Sequence, residues 1–204
     1  FSLWIARKFP GCMIHSVSNS APQKKFIEER AKEFNLTNIK VTTADVNTFN
    51  TAEKFDRIVS IEMFEHMRNY DKLMTNIAQW LKPDGKLFVH IFCHKSSPYY
   101  FETNGDDNWM GKYFFTGGIM PSNHFLLYFQ NNLAIEDHWV VNGKNYEKTS
   151  LAWLANIDNK KDEVIEIFRR TYGDKDAAMW YQRWRIFFMS CAELFGFNNG
   201  EEWW

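Results

Sequence analysis

The chain predicts an α/β fold of parallel βαβ units, and three features carry that expectation. Short β-branched or apolar runs alternate with single amphipathic helical segments between residues 12 and 92, the alternation that puts helices on both faces of a parallel sheet. Helix-starting and helix-stopping residues fall at its joints. The 204 residues, against roughly 150 per domain, accommodate one domain or one domain with an appended lobe.

The elements follow in order. Phe1 to Pro10 has helical spacing, with Leu3 and Trp4 one turn before Arg7, and it opens without a capping residue, so a chain that continues upstream is expected. After Pro10-Gly11, Cys12 to Val17 reads as a buried strand. Ser20 stands three residues before Gln23, the spacing of a capping box, and Phe26, Ile27, Arg30, Ala31 and Phe34 lie along one face of the helix it starts. Ile39 to Thr43 is a β-branched strand ending at Ala44-Asp45, and Arg57 to Ile61 is a third strand. Asn69 caps a helix in which Tyr70, Leu73, Met74, Ile77, Trp80 and Leu81 recur at intervals of three and four, and Pro83-Asp84-Gly85 stops it. Lys86 to Phe92 is the fourth strand. Ligands of such sheets lie beyond the carboxyl ends of the strands, which directs attention to residues 17–20, Asp45, residues 62–66 and residues 90–94.

After Lys95 the pattern changes. Tyr99-Tyr100-Phe101, Trp109, Tyr113-Phe114-Phe115 and a Gly117-Gly118 turn form an aromatic insertion without a clear period. A helix-like stretch at Phe125 to Gln130 and a strand at Leu133 to Val141 follow. From Thr149 the chain is helical, through Leu151, Leu154 and Ile157, then Val164, Ile165 and Phe168. The last helix carries Ala177, Trp180, Trp184, Phe187, Phe188, Cys191 and Phe195 on one side. With no repeats and no low-complexity linker, the second lobe is expected to pack on the first.

Composition narrows the function. A net charge of −1, from 24 basic and 25 acidic residues, provides no field to gather nucleic acid or an anionic membrane; a small-molecule partner is expected. Cys12, Cys93 and Cys191 are odd in number and lack a paired short spacing, which reads as a reducing compartment without zinc and makes the cytoplasm the expected location. No apolar run approaches the ~18 residues of a membrane span, and no signal segment opens the chain. Aromatic residues are abundant at 18%, whereas glycine, the residue of phosphate-cradling loops, numbers only 10.

Four groups of residues could carry chemistry. Glu65-His66, just beyond a strand's carboxyl end, is placed for proton transfer, because a neighbouring charge can move either pKa toward neutrality; alone, the pair also reads as surface polarity. His90 and His94 flank Cys93, but four strand residues at ~3.3 Å each hold them about 13 Å apart, too far for one metal ion; His90 is expected to face the cleft and His94 to end the strand. Asp45 stands where such folds present a carboxylate to an adenine amino group or ribose hydroxyl, or it caps a turn. The aromatic stripe on the last helix reads as core. Tyr99 to Phe101, Trp109 and Trp203-Trp204 are candidates for a ligand wall, each cation–ring contact being worth about 0.5–2 kcal/mol.

Three longer stretches carry a resemblance. Residues Lys54 to Met67, Pro83 to Ile91 and Lys112 to Ser122 resemble the S-adenosylmethionine-dependent cyclopropane-fatty-acid-synthase group. Within it the chain is similar to the coclaurine N-methyltransferase branch. The cues are Ser18-Asn19-Ser20 with Gln23-Lys24, Phe26-Ile27-Glu28-Glu29, Phe64-Glu65-His66-Met67 with Asn69-Tyr70, Cys93-His94-Lys95, and the tail Phe195 to Trp203. The resemblance covers essentially the whole chain. It implies a Rossmann-like class I methyltransferase domain with an aromatic-rich helical cover, residues 1–94 and 123–142 forming the core and residues 95–122 and 143–204 the cover.

Site residues follow from the same resemblance. Asn19, Ser20 and Gln23 match the segment lining the cofactor's ribose and adenine side, Asp45 the adenine-contacting acid, and Glu62 and Met63 the stretch beneath the methionine moiety. Glu65 and His66 match the pair that deprotonates the amine in the coclaurine branch. Glu65, His90 and Tyr146 match positions that hold bicarbonate in the cyclopropane synthases. Tyr99, Phe101, Trp109 and Trp203 are the expected substrate wall. The implied cofactor is S-adenosylmethionine and the implied reaction N-methylation of a small amine. The alternatives are methylene transfer to an unsaturated acyl lipid, with bicarbonate as base, and a non-catalytic fragment. A homodimer is one assembly the sequence admits. The group's first strand and glycine-rich loop would precede Phe1, so the chain is expected to be truncated at its amino end.

Overall fold

The computed structural model describes residues 1–105 and 108–204; Asp106 and Asp107, inside the expected 95–122 cover segment, lie outside the described residues. The chain forms two compact units, Phe1–Lys54 and Phe55–Trp204.

In the first unit, helix α1 (Ser2–Lys8) opens without a side-chain cap. Strand β1 (Ile14–Ser18), helix α2 (Ala21–Glu33) and strand β2 (Ile39–Thr43) then form one βαβ unit. β1 and β2 pair in parallel from Ile14 opposite Ile39 to Ser18 opposite Thr43. β1 begins two residues later than the sequence predicts because Cys12 belongs to a turn. Its N–H donates to the Phe9 carbonyl and its own carbonyl accepts from Asn38. The buried Asn38 amide also donates to the carbonyl of Ala6, so one side chain ties the end of α1 to the start of the sheet.

Ser20 caps α2 as expected, its hydroxyl accepting from the Gln23 N–H. The reciprocal half of the box differs. Ser18, at the end of β1, accepts from the Ser20 N–H at 3.1 Å and donates to Gln23 Oε1 at 2.7 Å, so a serine hydroxyl stands between the amide and the glutamine that would otherwise meet. On α2 only Ala31 of the expected apolar face is buried, while Phe26 and Phe34 stay exposed. Their rings are covered by the guanidinium groups of Arg30 and Arg7, at 5.7 Å and 4.7 Å, a way of shielding aromatic faces without a core.

In the second unit, β3 (Phe55–Ile61), α3 (Tyr70–Trp80) and β4 (Leu81–His90) form another parallel βαβ unit. Arg57 stands opposite Lys86 and Ile61 opposite His90. Asn69 caps α3 through the Lys72 N–H, and Tyr70, Leu73, Met74, Ile77 and Trp80 are its buried face, as the spacing predicts. β4 starts at Leu81 rather than Lys86: α3 ends at Trp80, Leu81 stands opposite Phe55, and Pro83-Asp84-Gly85, expected to stop the helix, lies inside the strand where the register shifts. It stops at His90 rather than Phe92 because its partner leaves the ladder after Ile61. Cys93 instead pairs through both its N–H and its carbonyl with Trp204 at the chain's end, each bond 2.8 Å.

The aromatic insertion contains a short antiparallel pair, β5 (Tyr99–Tyr100) with β6 (Ile119–Met120), and helix α4 (Trp109–Tyr113). A 3₁₀ turn at Phe125–Phe129 fills the predicted helix-like stretch. The strand expected at residues 133–141 is not one: the segment joins no ladder among the described residues and is largely exposed. It meets β4 through side chains, Glu136 with Lys86 and the Trp139 ring 6.0 Å from Phe88. Its β-branched content fits an extended conformation, but an extended chain needs a backbone partner to become a strand.

Helices α5 (Lys144–Asn159), α6 (Lys161–Tyr172) and α7 (Ala177–Gly196) complete the unit, followed by a 3₁₀ turn at Phe197–Gly200. α5 begins five residues before Thr149. At its start a Cβ on Gly143 would run into the carbonyl oxygens of Trp203 and Phe195, so only glycine lets the tail pass there. Phe92, Met120 and Phe195 form a core against which Phe101, Phe115, Tyr146, Leu194 and Trp203 pack. No helix among the described residues is long and apolar enough to cross a membrane.

Candidate active site

The carboxyl ends of the first unit's strands carry four of the predicted residues. Asn19 and Ser20 follow β1 directly, Gln23 lies in the first turn of α2, and Asp45 follows β2, where the Ala44 N–H bonds the Ser18 carbonyl and extends the pairing. Asp45 does cap a turn: its Oδ1 accepts from the Asn47 N–H at 2.8 Å and from the Asn47 amide at 2.9 Å. Among the described residues its Oδ2 accepts no hydrogen bond, which leaves one carboxylate oxygen to meet a hydroxyl or amino donor.

In the second unit the remaining acid–base residues gather where β3 and β4 end. Glu62 has φ +50°, a left-handed conformation that costs a side-chain-bearing residue about 1–2 kcal/mol. Two contacts with His90 hold it there. The Glu62 N–H donates to the His90 carbonyl at 3.0 Å, and Glu62 Oε1 lies 3.0 Å from His90 Nδ1. The left-handed turn sends the chain into the 3₁₀ segment Phe64–His66, capped at its start by the half-buried Met63. Phe64 and Glu65 are 0% and 2% exposed, and the Tyr70 hydroxyl donates to the Phe64 carbonyl at 2.6 Å.

Glu65 is therefore a carboxyl placed under apolar cover. Burial first, and then the charge of Glu62, pushes its pKa up to about 8. Burial raises Glu62 as well, but Glu65, the more strongly raised of the two, is the acid that holds its proton near pH 7. Glu65 Oε2 is buried without a hydrogen-bond partner. His66 stacks on Phe115 at 6.1 Å, and partial burial lowers its pKa, leaving a neutral imidazole with a lone pair near pH 7. Tyr146, on α5, packs edge-on against Phe195 at 4.5 Å. Burial raises its phenol, as do Cys191, Glu62 and Glu65. Tyr146 is thus a protonated donor close enough to feel both acids, and Cys191 is a neighbour that the sequence presented only as part of a core stripe.

The predicted aromatic wall divides. The Trp203 indole donates to the Tyr99 hydroxyl at 3.3 Å, Tyr99 meets Phe101 at 5.9 Å, and Phe101 stacks on Phe115 at 4.9 Å, the ring that also meets His66. Trp109 belongs to a different group, against Tyr113 and Phe114, and Phe114 stacks on Phe187 of α7 at 4.3 Å. His94 does not end the strand. It lies four residues past β4, where its Nδ1 accepts from the Ser96 and Ser97 N–H groups and its Nε2 faces Glu202 at 3.3 Å. An Nδ1 that accepts two bonds carries no proton, so the Nε2–H points to the carboxylate. The two histidines thus serve different carboxylates, Glu62 and Glu202.

Two parallel βαβ units, the second with acid–base groups beyond its strand ends and with aromatic helices of its own, are the parts of a class I methyltransferase. Comparison with known proteins agrees. The family described as mycolic acid cyclopropane synthetase matches residues 5–201, and the chain belongs to that family. It is 42% identical over 205 residues to (S)-coclaurine N-methyltransferase of Papaver somniferum, covering 99% of this chain and 58% of that protein. To pavine N-methyltransferase of Thalictrum flavum subsp. glaucum it is 37% identical over 205 residues, with 99% and 58% covered. To cyclopropane-fatty-acyl-phospholipid synthase of Escherichia coli (strain K12) it is 31% identical over 162 residues, with 76% and 40% covered. Among solved structures, coclaurine N-methyltransferase bound to N-methylheliamine and SAH aligns with a TM-score of 0.92 at 40% identity, covering 99% of this chain and 61% of that one. A cyclopropane synthase from Mycobacterium tuberculosis aligns at 0.74 with 21% identity, covering 90% and 65%, and shares the fold. The chain spans 58% of the length of the two plant relatives.

Proposed function

We propose that this chain carries the reaction centre of an S-adenosylmethionine-dependent N-methyltransferase acting on a small amine. The observation that carries this reading is the pairing of Glu62 Oε1 with His90 Nδ1 at 3.0 Å, beside the buried Glu65. A centre that supplies its own carboxylates favours a cationic acceptor, because like charges disfavour an anion and an opposite charge is stabilised. The resemblance to plant N-methyltransferases supports the same class.

In the first unit, we assign Asn19, Ser20, Gln23 and Asp45 to the adenosine side of the donor; the acceptor oxygen left on Asp45 suits a hydroxyl or amino group. In the second, Glu62 and Met63 belong to the donor's methionine side. When bound, S-adenosylmethionine supplies an electrophilic methyl group on a sulfonium. An ammonium has no lone pair, so this chain's residues must first remove a proton. His66, neutral near pH 7, accepts it, and the negative charge shared by Glu62 and Glu65 stabilises the resulting imidazolium. The freed nitrogen then forms its bond to the methyl carbon as the carbon–sulfur bond breaks, and positive charge passes from sulfur to nitrogen. Holding the two reactants in line supplies much of the rate. The rings of Tyr99, Phe101, Phe115 and Trp203 favour the cationic product over bulk water, and residues 95–122 and 143–204 act as the substrate cover.

Methylene transfer to an unsaturated acyl chain is the second reading. It draws on Glu65, His90 and Tyr146 lying in the same unit, where they would hold bicarbonate, but one of the two His90 ring nitrogens is already paired with Glu62. Calorimetry with S-adenosylhomocysteine, on this chain and on a form extended to the length of its relatives, tests the donor assignment. Binding by the extended form is expected. If neither form binds, the chain is a non-catalytic module and the proposal fails.

A further inference from the structure

We propose that Glu53 and His15 are positioning residues for the methyl donor: a clasp between them returns the chain that follows β2 across the first unit's own sheet and fixes the Asp45 turn before the donor arrives. This deepens the assignment of Asp45 to the donor's adenosine side and rests on it.

The clasp is built on one face of the β1–β2 pair. His15 stands opposite Lys40, and Thr42 lies two residues beyond Lys40, so the three side chains share that face. Glu53 joins two of them: its Oε2 lies 3.0 Å from His15 Nδ1, and its Oε1 accepts from Lys40 Nζ at 2.9 Å. On the other side of the imidazole, Nε2 lies 2.9 Å from the Thr42 hydroxyl, and the Phe49 ring meets it edge-on at 5.9 Å. The His15 side chain is thereby left 8% exposed, an enclosed titratable group outside the acid–base chemistry of the second unit. From there the bonds lead back to Asp45. The Phe49 and Thr48 N–H groups donate to the Asp45 carbonyl at 2.8 Å and 3.0 Å, and Asp45 Oδ1 accepts from Asn47. The direction of the Asp45 carboxylate thus depends on the turn, the turn on Phe49, and Phe49 on the imidazole against which it rests. A turn ordered in advance loses less freedom when a ligand binds.

The chemistry of the clasp suits a permanent fastening. A carboxylate only accepts, so His15 Nδ1 carries the proton; Nε2 then meets a hydroxyl, which donates to a neutral ring and accepts from a protonated one. The bonds persist in either state of the imidazole. Lys40 first, and then His15, hold the Glu53 carboxyl below the ordinary carboxylate range, so the other half of the clasp stays ionised as well.

The experiment compares wild type with Glu53→Ala and His15→Leu, circular dichroism checking that each is folded. Glu53 is half exposed, so Glu53→Ala decides alone if His15→Leu does not fold. In this chain, hydrogen exchange at the Thr48 and Phe49 amides is expected to quicken about ten-fold or more. In the form extended to the length of its relatives, both variants are expected to bind S-adenosylhomocysteine about ten-fold more weakly and to raise KM for S-adenosylmethionine in step, with kcat at saturating donor within about three-fold of wild type, because only donor binding is affected. Native-like exchange at both amides in Glu53→Ala overturns the clasp. Faster exchange with unchanged S-adenosylhomocysteine affinity, or a fall in kcat at unchanged KM, overturns its role in holding the donor while leaving the donor assignment intact. Absence of binding in the extended wild type itself removes that assignment, and the proposal with it.

Discussion

Glu62 is bonded to His90 twice, by its main-chain N–H to the His90 carbonyl and by its carboxylate to the His90 ring, both at 3.0 Å. The first bond, made just past the last ladder pair of Ile61 with His90, ties Glu62 to the end of β4. The second converts the end of a sheet into the start of the proposed reaction centre. The acid that feels Glu65 is thereby positioned by rigid strands, the arrangement that holds catalytic geometry most closely.

Loss of the proton-handling residues should separate catalysis from binding. In a chain active with an amine acceptor, Glu65→Gln and His66→Ala are expected to lower turnover by roughly 10²–10⁴-fold, the range for general acid–base groups, while affinity for S-adenosylhomocysteine changes little. Steady-state kinetics beside calorimetry measures both. Unchanged turnover in both variants would remove these residues from the mechanism.

Glu65 should also mark the pH dependence of stability. Its folded pKa, up to about 8, exceeds the ordinary carboxylate value of about 4.3, so between these limits the folded chain binds more protons than the unfolded one. Stability must fall as pH rises through that window, with a slope of up to about 1.4 kcal/mol per pH unit from this group. Glu65→Gln cannot titrate and should flatten that part of the profile. Urea unfolding at intervals across the window measures both slopes; parallel profiles would show that Glu65 ionises normally.

Asn38 should be a keystone of the first unit. Its buried amide donates to the carbonyls of Ala6 at 3.0 Å and Cys12 at 2.9 Å. Asn38→Ala strands both acceptors, at a cost of about 1–3 kcal/mol for buried groups left unsatisfied. Faster hydrogen exchange of the Phe9 and Cys12 amides, whose bonds close α1 and the following turn, should accompany the loss. Native-like exchange there would contradict the role.

His94 should hold the carboxyl-terminal tail. It takes two backbone N–H bonds from residues 96 and 97 and faces Glu202, while Lys95 and Cys93 pair with Glu202 and Trp204. His94→Ala is expected to cost about 1–3 kcal/mol and to raise exchange at the Lys95 and Trp204 amides, and His94→Asn, which keeps a side-chain acceptor, should recover part of it. Equal exchange in His94→Ala and wild type would show that the tail is held without the histidine.

Much of this was readable where the signals are local. Ile39 to Thr43 is the strand its β-branching predicts, and Asn69 with the three-and-four spacing located α3 from Tyr70 to Trp80, although Leu81, expected on the helical face, opens β4 instead. The expected strand at residues 133–141 failed because strand formation depends on a distant partner, which β-branching does not report. The Cys93–Trp204 pairing joins residues far apart in sequence and left no local trace. In the site, the Glu65-His66 pair was visible from its place after a strand, whereas the union of Glu62 with His90 arises from the register of β3 on β4. The three-residue spacing of Glu62 and Glu65 after β3 was the one available hint.

The central claim is that the group transferred is a methyl and its acceptor an amine nitrogen. Mass spectrometry tests it most directly, after incubating the chain, in a form extended to the length of its relatives, with isotope-labelled S-adenosylmethionine and a mixed panel of secondary amines and unsaturated phospholipids. The account predicts the labelled methyl on an amine. Label in a lipid chain heavier by one methylene, or in no acceptor at all, would contradict it.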